Sequence, residues 1–151
     1  MTAAEQRYDI RIAADGSWWH EGRPIRRSAL VKLFASILRR APDGSFWLET
    51  PAERGRIEVE DAPFTVVEVW REGAFVWFRT NLDAVVPLDA DHSLRMAEAK
   101  DGPRAYIQIR PGVEARLLRA PFYDLVGFGE ERDGMLEVES AGRRHRLGEV
   151  G

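Results

Sequence analysis

The most regular hydrophobic pattern in the chain predicts an amphipathic helix over residues 28–40. The apolar side chains at i, i+3, i+4, i+7 and i+8 are Leu30, Leu33, Phe34, Ile37 and Leu38. Ser28 is a favourable N-cap residue, and the arginines at 39 and 40 suit the carboxyl end of the helix dipole. The segment 41–44 (Ala-Pro-Asp-Gly) then ends the helix. We expect its apolar stripe to cover a sheet.

Segments rich in β-branched and aromatic residues predict that sheet. They are residues 46–49, 56–60, 65–70, 75–78, 105–110, 113–118, 135–139 and 143–147. Turn residues at 71–73, 111–112 and 141–142 predict antiparallel hairpins between neighbouring strands. The segment Pro121–Val126 fits either a strand or one helical turn. The pattern as a whole predicts an α+β protein, mostly antiparallel β with one main amphipathic helix.

Two blocks of similar sequence recur at one offset of 58 residues. Asp43-Gly44 matches Asp101-Gly102, and Ala62-Pro63-Phe64 matches Ala120-Pro121-Phe122. The repeat predicts two duplicated β-rich subdomains, over residues 1–90 and 91–151, with Pro63 and Pro121 at equivalent positions. The polar stretch Asp89–Asp101, which is poor in β-forming residues, is the expected break between them.

Composition and charge exclude several classes of protein. The 151 residues include no cysteine, which excludes disulfides, thiol nucleophiles and thiolate-bound metals. A net charge of −3 gives no global attraction to nucleic acid or to anionic membranes, so neither is an expected partner. The start, Met1–Arg11, is too polar for a signal peptide, so we expect a cytoplasmic protein.

All but two of the 22 basic residues are arginine. Arginine forms bidentate contacts with phosphate and carboxylate, so this bias allows an anionic ligand. Biased base composition of the gene explains the same excess more simply.

The sequence contains no known catalytic motif. It has no phosphate-binding loop, no complete dinucleotide-binding glycine pattern and no nucleophile elbow. Asp89, Asp91 and His92 are the best metal-ligand candidates, but adjacent ligands on one loop are more typical of a solvated connection. We therefore predict no catalytic residue, no metal and no cofactor.

Two polar and aromatic clusters are candidates for a binding site. Trp18, Trp19 and His20 follow a turn, and adjacent residues of a strand point to opposite faces. One tryptophan can join the core, while the other either stacks on a planar ligand or packs under the opposing half. The segment 79–81 (Arg-Thr-Asn) is a polar strand end, which suits either a turn cap or part of a pocket.

Longer stretches of the chain resemble the bacterial family called domain of unknown function 1285. The resemblance lies in residues 15–20, 23–25, 30–38, 56–64, 78–81, 92–95, 106–110, 112–115 and 122–126. It covers nearly the whole chain and departs at the closing hairpin, residues 139–146, where the family is usually rich in aromatic residues. The resemblance implies a duplicated α+β core whose second subdomain is superficially like a pleckstrin-homology barrel.

The resemblance also implies a function class without an established activity. It implies a small-molecule site for a nucleotide-like ligand between the two halves, and a role in signalling. The residues expected there are Trp19, His20, Asp61, Arg79, Asn81, His92 and Arg95. Two alternatives stay open: a small enzyme with an unfamiliar site built on His20, Asp61 and His92, and a protein-interaction adaptor.

Overall fold

The computed structural model describes residues 4–150, which form two compact units divided between Pro63 and Phe64. The elements of the N-terminal unit are β1 (Ala4–Ile12), β2 (Trp18–His20), β3 (Arg23–Pro24), α1 (Ser28–Ser36), β4 (Leu38–Arg40), β5 (Phe46–Glu49) and β6 (Glu53–Val59). The elements of the C-terminal unit are β7 (Phe64–Glu72), β8 (Phe75–Thr80), β9 (Val85–Pro87), β10 (Leu94–Ala99), β11 (Gly102–Arg110), β12 (Val113–Leu117), α2 (Arg119–Gly127), β13 (Glu130–Arg132), β14 (Met135–Ser140) and β15 (Arg143–Glu149).

The N-terminal unit is a six-stranded sheet in the order β3-β2-β1-β6-β5-β4, with one helix. Only the β1–β6 pair is parallel among the pairs of this sheet. Its buried core includes Ile10, Ile12, Trp18, Leu38, Leu48 and Ile57. The helix α1 adds Val31 and Ala35 to the buried residues, and Phe34 stacks on Trp18 with ring centroids 6.2 Å apart.

The predicted helix over 28–40 is too long, and its predicted stripe is wrong in part. The helix ends at Ser36, because Leu38 pairs with Leu48 and begins β4. Leu38 is fully buried in the sheet, whereas Leu33 is 59% exposed. The helical spacing therefore predicted one long helix, where the chain forms a short helix followed by a strand.

The C-terminal unit combines a six-stranded sheet, in the order β10-β11-β12-β7-β8-β9, with a three-stranded sheet, β13-β14-β15. The buried Ser140 ties the two sheets together, since its Oγ donates to the Leu88 carbonyl oxygen at 2.7 Å and accepts from the Val76 amide at 2.9 Å. The Ala141 amide also donates to the Ala74 carbonyl oxygen. Across residues 4–150, no helix has the length and apolar character needed to cross a membrane.

The expected boundary at residue 90 differs from the observed one. Strands β7, β8 and β9 join the same sheet as β10, β11 and β12, so the chain divides before β7. Strand β10 lies inside the polar stretch that was expected to be a linker. A polar strand is acceptable there because β10 is at the edge of its sheet.

The 58-residue repeat does not correspond to a structural repeat. Pro63 lies in the connection before β7, whereas Pro121 lies in the first turn of α2, where a proline needs no amide partner. The undecided segment Pro121–Val126 is thus helical. The predicted hairpins at 71–73, 111–112 and 141–142 are confirmed by the antiparallel pairs β7–β8, β11–β12 and β14–β15.

Candidate functional site

Two turns of the N-terminal unit have the same local structure. Residues 15–19 (Asp-Gly-Ser-Trp-Trp) recur 28 residues later as residues 43–47 (Asp-Gly-Ser-Phe-Trp). In each turn an aspartate Oδ1 accepts hydrogen bonds from the amide and the hydroxyl of the serine two residues on. These hydrogen bonds, from the serine side chain and then its backbone, hold the pKa of both aspartates below the usual range.

The serine of each turn also fixes a tryptophan. Trp19 Nε1 donates to Ser17 Oγ at 2.9 Å, and Trp47 Nε1 donates to Ser45 Oγ at 2.8 Å. The Arg11 guanidinium lies 5.3 Å from the Trp19 ring centroid, and that of Arg54 lies 4.0 Å from the Trp47 centroid. The two turns follow the carboxyl ends of β1 and β4. Because these strands run in the same direction, both turns lie at the same end of the sheet's strands.

The first turn borders a groove. Strand β1 pairs with β6 at Arg7↔Arg56 and again at Arg11↔Glu58, so β1 has two more residues than β6 between these pairs. Such irregularities bend a strand away from its neighbour, and they are frequent beside functional sites. The groove at this point has a volume of about 460 Å³, and its lining residues are Arg7, Tyr8, Asp9, Ile10, Arg11, Trp19, Gly22 and Glu58.

Gly55 on β6 allows the irregular segment of β1 to approach closely. A Cβ atom built on Gly55 would lie 2.0 Å from Tyr8 Cε2, so any side chain there displaces the tyrosine ring. Burial of Tyr8, together with the neighbouring Glu53, raises the pKa of its phenol. The position of Tyr8, and with it the backbone that lines the groove, therefore depends on a glycine in the adjacent strand.

The groove has a mixed electrostatic character. Two arginines and two carboxylates line it. Arg7 Nη1 lies 3.6 Å from Glu58 Oε1, and both of these side chains are exposed. Arg11 pairs with Glu60, whose other oxygen accepts the Ala14 amide at 2.9 Å. Exposed ion pairs of this kind contribute little stability, so an anionic group of a ligand can replace the carboxylate that pairs with each arginine.

Of the expected site residues in the N-terminal unit, Trp19 lines the groove and is half-buried. His20 is exposed, with Nε2 3.8 Å from Glu21 Oε1, and it does not line the groove. Asp61 follows β6 and is partly exposed, and it is not among the lining residues either.

The expected site residues of the C-terminal unit have partners within that unit. Arg79 pairs with Glu68 at 3.0 Å, and Arg95 makes a bidentate contact with Glu114. Asn81 exchanges hydrogen bonds with the backbone of Thr65. Arg79 and Arg95 lie on β8 and β10, strands that are separated by three others in the sheet.

His92 belongs to a compact turn. Asp89 Oδ1 accepts from the backbone amides of Asp91 and His92 and lies 2.8 Å from His92 Nδ1. Burial opposes ionisation of Asp89, but the hydrogen bonds from the His92 ring and amide outweigh it and lower the pKa of the carboxyl. Within residues 4–150, no group of three or more acidic and histidine side chains is arranged to hold a metal ion.

Arg7 and Arg11 line the groove beside Trp19, and they were not among the site residues expected from the sequence. Their polar strand was not recognised, because its alternation is weak and its central pairing with β6 is parallel. The repeated Asp-Gly-Ser-aromatic-Trp segment was the available signal, since it marks two equivalent hairpins. It did not reveal which of the two borders a groove.

These features define a two-unit, mostly β protein with a candidate small-molecule groove in its N-terminal unit. Family comparison matches residues 3–62 to the N-terminal domain of a family described as domain of unknown function (DUF1285). It matches residues 63–147 to the C-terminal domain of the same family. The chain therefore belongs to the DUF1285 family, as its sequence predicted, and the division between the two models lies one residue from the observed unit boundary.

Two crystal structures of family members are similar to this chain. A DUF1285 family protein from Silicibacter pomeroyi DSS-3 is 37% identical, with a TM-score of 0.90, over 99% of this chain and 85% of that one. A DUF1285 family protein from Shewanella baltica OS155 is 28% identical, with a TM-score of 0.65, over 80% of this chain and 91% of that one. No curated protein matches the chain significantly.

Proposed function

We propose that the protein is a cytoplasmic ligand-binding module with a role in signalling, and that its N-terminal groove binds a planar, nucleotide-like anion. The observation that carries the proposal is the groove itself, at an irregularity of β1 and bordered by Trp19, Arg7 and Arg11. Its volume of about 460 Å³ is within the range of small-molecule sites.

The lining supplies complementary groups for such a ligand. The Trp19 ring, fixed by Ser17 through its Nε1, offers a surface for stacking. Arg7 and Arg11 offer guanidinium groups to a phosphate or carboxylate. Asp9 and Glu58 offer acceptors for amino groups of a heterocycle. The equal number of cations and carboxylates favours a ligand with one or two charges over a polyanion.

The wider site suggested by the sequence remains a proposal. It joins Trp19, His20 and Asp61 to Arg79, Asn81, His92 and Arg95. We retain Trp19 as its best-supported member, because it is the one that lines the groove. The likeness of the C-terminal unit to a pleckstrin-homology barrel remains a prediction from the family resemblance.

The two alternatives have less support. An enzyme built on His92 would have its imidazole oriented by Asp89 through Nδ1, but no known catalytic motif in the sequence supplies a nucleophile to work with it. An adaptor that adds a partner strand would use a sheet edge. The edge strands β3, β4, β9 and β13 have only two or three residues each, and the longer edge strands β10 and β15 carry charged side chains, which oppose strand addition.

The test is a thermal-shift screen of nucleoside monophosphates, cyclic nucleotides and aromatic carboxylates, followed by calorimetry on each hit. Ligand at 100 times its Kd stabilises the fold by about 2.7 kcal/mol, which raises Tm by roughly 5–10 °C for a protein of this size. We expect Trp19→Ala and Arg11→Gln to abolish this shift.

The second turn provides a matched control. Trp47→Ala removes a tryptophan with the same hydrogen bond and a comparable arginine contact, but Trp47 is not among the residues that line the groove. Binding that survives Trp47→Ala and fails in Trp19→Ala supports the proposal. Equal effects of both variants would assign the ligand to another site, and the absence of any hit would favour the adaptor function.

A further inference from the structure

A second cavity, within the C-terminal unit, is lined by three arginines. It has a volume of about 300 Å³, and we call it the arginine pocket; its lining residues are Asp101, Pro103, Arg104, Arg116, Leu117, Arg119, Phe122 and Tyr123. Three arginines against one aspartate make this lining positive, although the chain as a whole carries a net charge of −3. The pocket therefore has a local charge opposite in sign to that of the protein as a whole.

The fold brings these arginines together from three consecutive elements. Arg116 on β12 pairs with Tyr106 on β11, and Arg104 precedes Tyr106 by two residues on the same face. Arg104 and Arg116 are therefore diagonal neighbours, a relation that places residues about 7–8 Å apart. The chain then passes from β12 into α2, whose first residue is Arg119.

Aromatic side chains lie beside the guanidinium groups. Arg119 Nε donates to the Tyr123 hydroxyl at 3.3 Å, and the guanidinium lies 5.9 Å from the Tyr123 ring centroid. Tyr123 is 58% exposed, a large fraction for an aromatic residue. Phe122 contacts Tyr123 with ring centroids 6.1 Å apart. The pocket thus combines positive charge with an accessible aromatic surface.

We propose that the arginine pocket binds the phosphate group of a small phosphate monoester that carries a ring. Guanidinium groups match the geometry of phosphate oxygens through paired hydrogen bonds. Placing three like charges around one cavity is unfavourable by itself, and a bound dianion offsets their repulsion. The ring of the ester contacts Phe122 and Tyr123. This site is separate in sequence and composition from the groove beside Trp19, and the proposal does not rest on ligand binding there.

Asp101 regulates the strength of this binding. Its carboxylate lies 3.4 Å from Arg104 Nη2, and its side chain is 69% exposed. The hydrogen bond from Arg104 holds the pKa of Asp101 below its usual range, so the group is ionised at neutral pH. An anionic ligand therefore competes with Asp101 for Arg104, and Asp101→Asn strengthens the binding of phosphate.

The experiment is calorimetric titration of the full chain with inorganic phosphate and with phenyl phosphate, at low ionic strength in a buffer without phosphate. We expect phenyl phosphate to bind more tightly than inorganic phosphate, because it adds the ring contact. Arg119→Gln, which changes an exposed side chain, weakens phenyl phosphate binding about tenfold, and Arg119→Lys restores only part of it. Circular dichroism checks that the variants are folded.

Arg143→Gln is the matched control, because it removes the same charge from an exposed arginine of β15 outside the pocket. Arg143→Gln leaves the titration unchanged if the arginine pocket is the site. Two results would overturn the proposal. One is that phenyl phosphate does not bind at millimolar concentration, and the other is that Arg143→Gln and Arg119→Gln weaken its binding equally. If phenyl phosphate does not bind, but the protein cosediments with phosphatidic acid vesicles in a way that depends on Arg119, the ligand of the pocket is a lipid headgroup instead of a small ester.

Discussion

The two Asp-Gly-Ser-aromatic-Trp turns of the N-terminal unit are nearly identical locally and differ in what surrounds them. Both use an aspartate–serine–tryptophan chain of hydrogen bonds, and both place an arginine over the tryptophan ring. The turn at Trp19 borders a groove, and the turn at Trp47 is not part of that lining.

The difference comes from the neighbouring strand. Beside Trp47, β5 pairs with β6 residue by residue, from Phe46↔Ile57 to Glu49↔Arg54. Beside Trp19, β1 departs from β6 between Arg7 and Arg11. The same short motif therefore lies next to a regular strand pair in one case and beside a groove at an irregular strand in the other. Its sequence alone does not define a site.

The largest expected difference between the turns concerns their first aromatic residue. Trp18 is 2% exposed and stacks on Phe34, whereas Phe46 is only partly buried and lies under Arg40. We expect Trp18→Ala to lower the free energy of unfolding by about 3–5 kcal/mol. Phe46→Ala should lower it by about 1–3 kcal/mol. Urea denaturation measures both, and equal losses would mean that the two turns are equally integrated in the core.

A smaller loss of stability is expected from adding a side chain at Gly55 on β6, where the Tyr8 ring occupies the space. Gly55→Ala displaces the Tyr8 ring and lowers the free energy of unfolding by about 1–3 kcal/mol, because the added carbon has no room. It should also shift amide resonances of the groove residues near Asp9 while leaving those around Trp47 in place. Two-dimensional NMR measures this, and changes centred on Trp47 would contradict the role given to Gly55.

The smallest expected effect is a shared pH dependence. The pKa values of Asp15 and Asp43 are lowered in the folded protein, so their ionised forms stabilise it above the ordinary aspartate pKa. This contribution is lost as the pH falls below about 4 and through the lowered values. We expect carboxyl NMR titrations to give similar low values for both residues, which Ser17→Ala raises for Asp15 alone. A normal pKa at either site would show that its turn is not formed as described.

Local sequence signals predicted much of the β structure correctly. The strands at β5 and β8 and the hairpins with glycine at 73, 112 and 142 carry β-branched or aromatic residues on either side of a turn. Those three glycines have φ values of +64°, +76° and +73°, a conformation that glycine adopts without strain. Such signals act within a few residues, so a sequence shows them directly.

Errors arose where distant residues decide the outcome. Leu38 fits a helical stripe as well as a strand, and its pairing with Leu48 places it in β4. The polar β10 is a strand because β11 provides its hydrogen-bond partners. The 58-residue repeat failed for a related reason, since a three-residue match contains no information on pairing.

The sequence by itself determined the mostly β character of this protein, several of its hairpins and its membership of the DUF1285 family. It also contained the two aspartate–serine–tryptophan turns in full, because their hydrogen bonds join residues only two apart. Only the tertiary structure decided that Arg7 and Arg11 lie beside Trp19, and that Arg104, Arg116 and Arg119 share one pocket. The physical reason for the first is that the parallel pairing of β1 with β6 joins residues far apart in the chain, which no local turn specifies. For the second, the sequence left the segment at Pro121–Val126 open between strand and helix, and the start of α2 places Arg119 beside the hairpin.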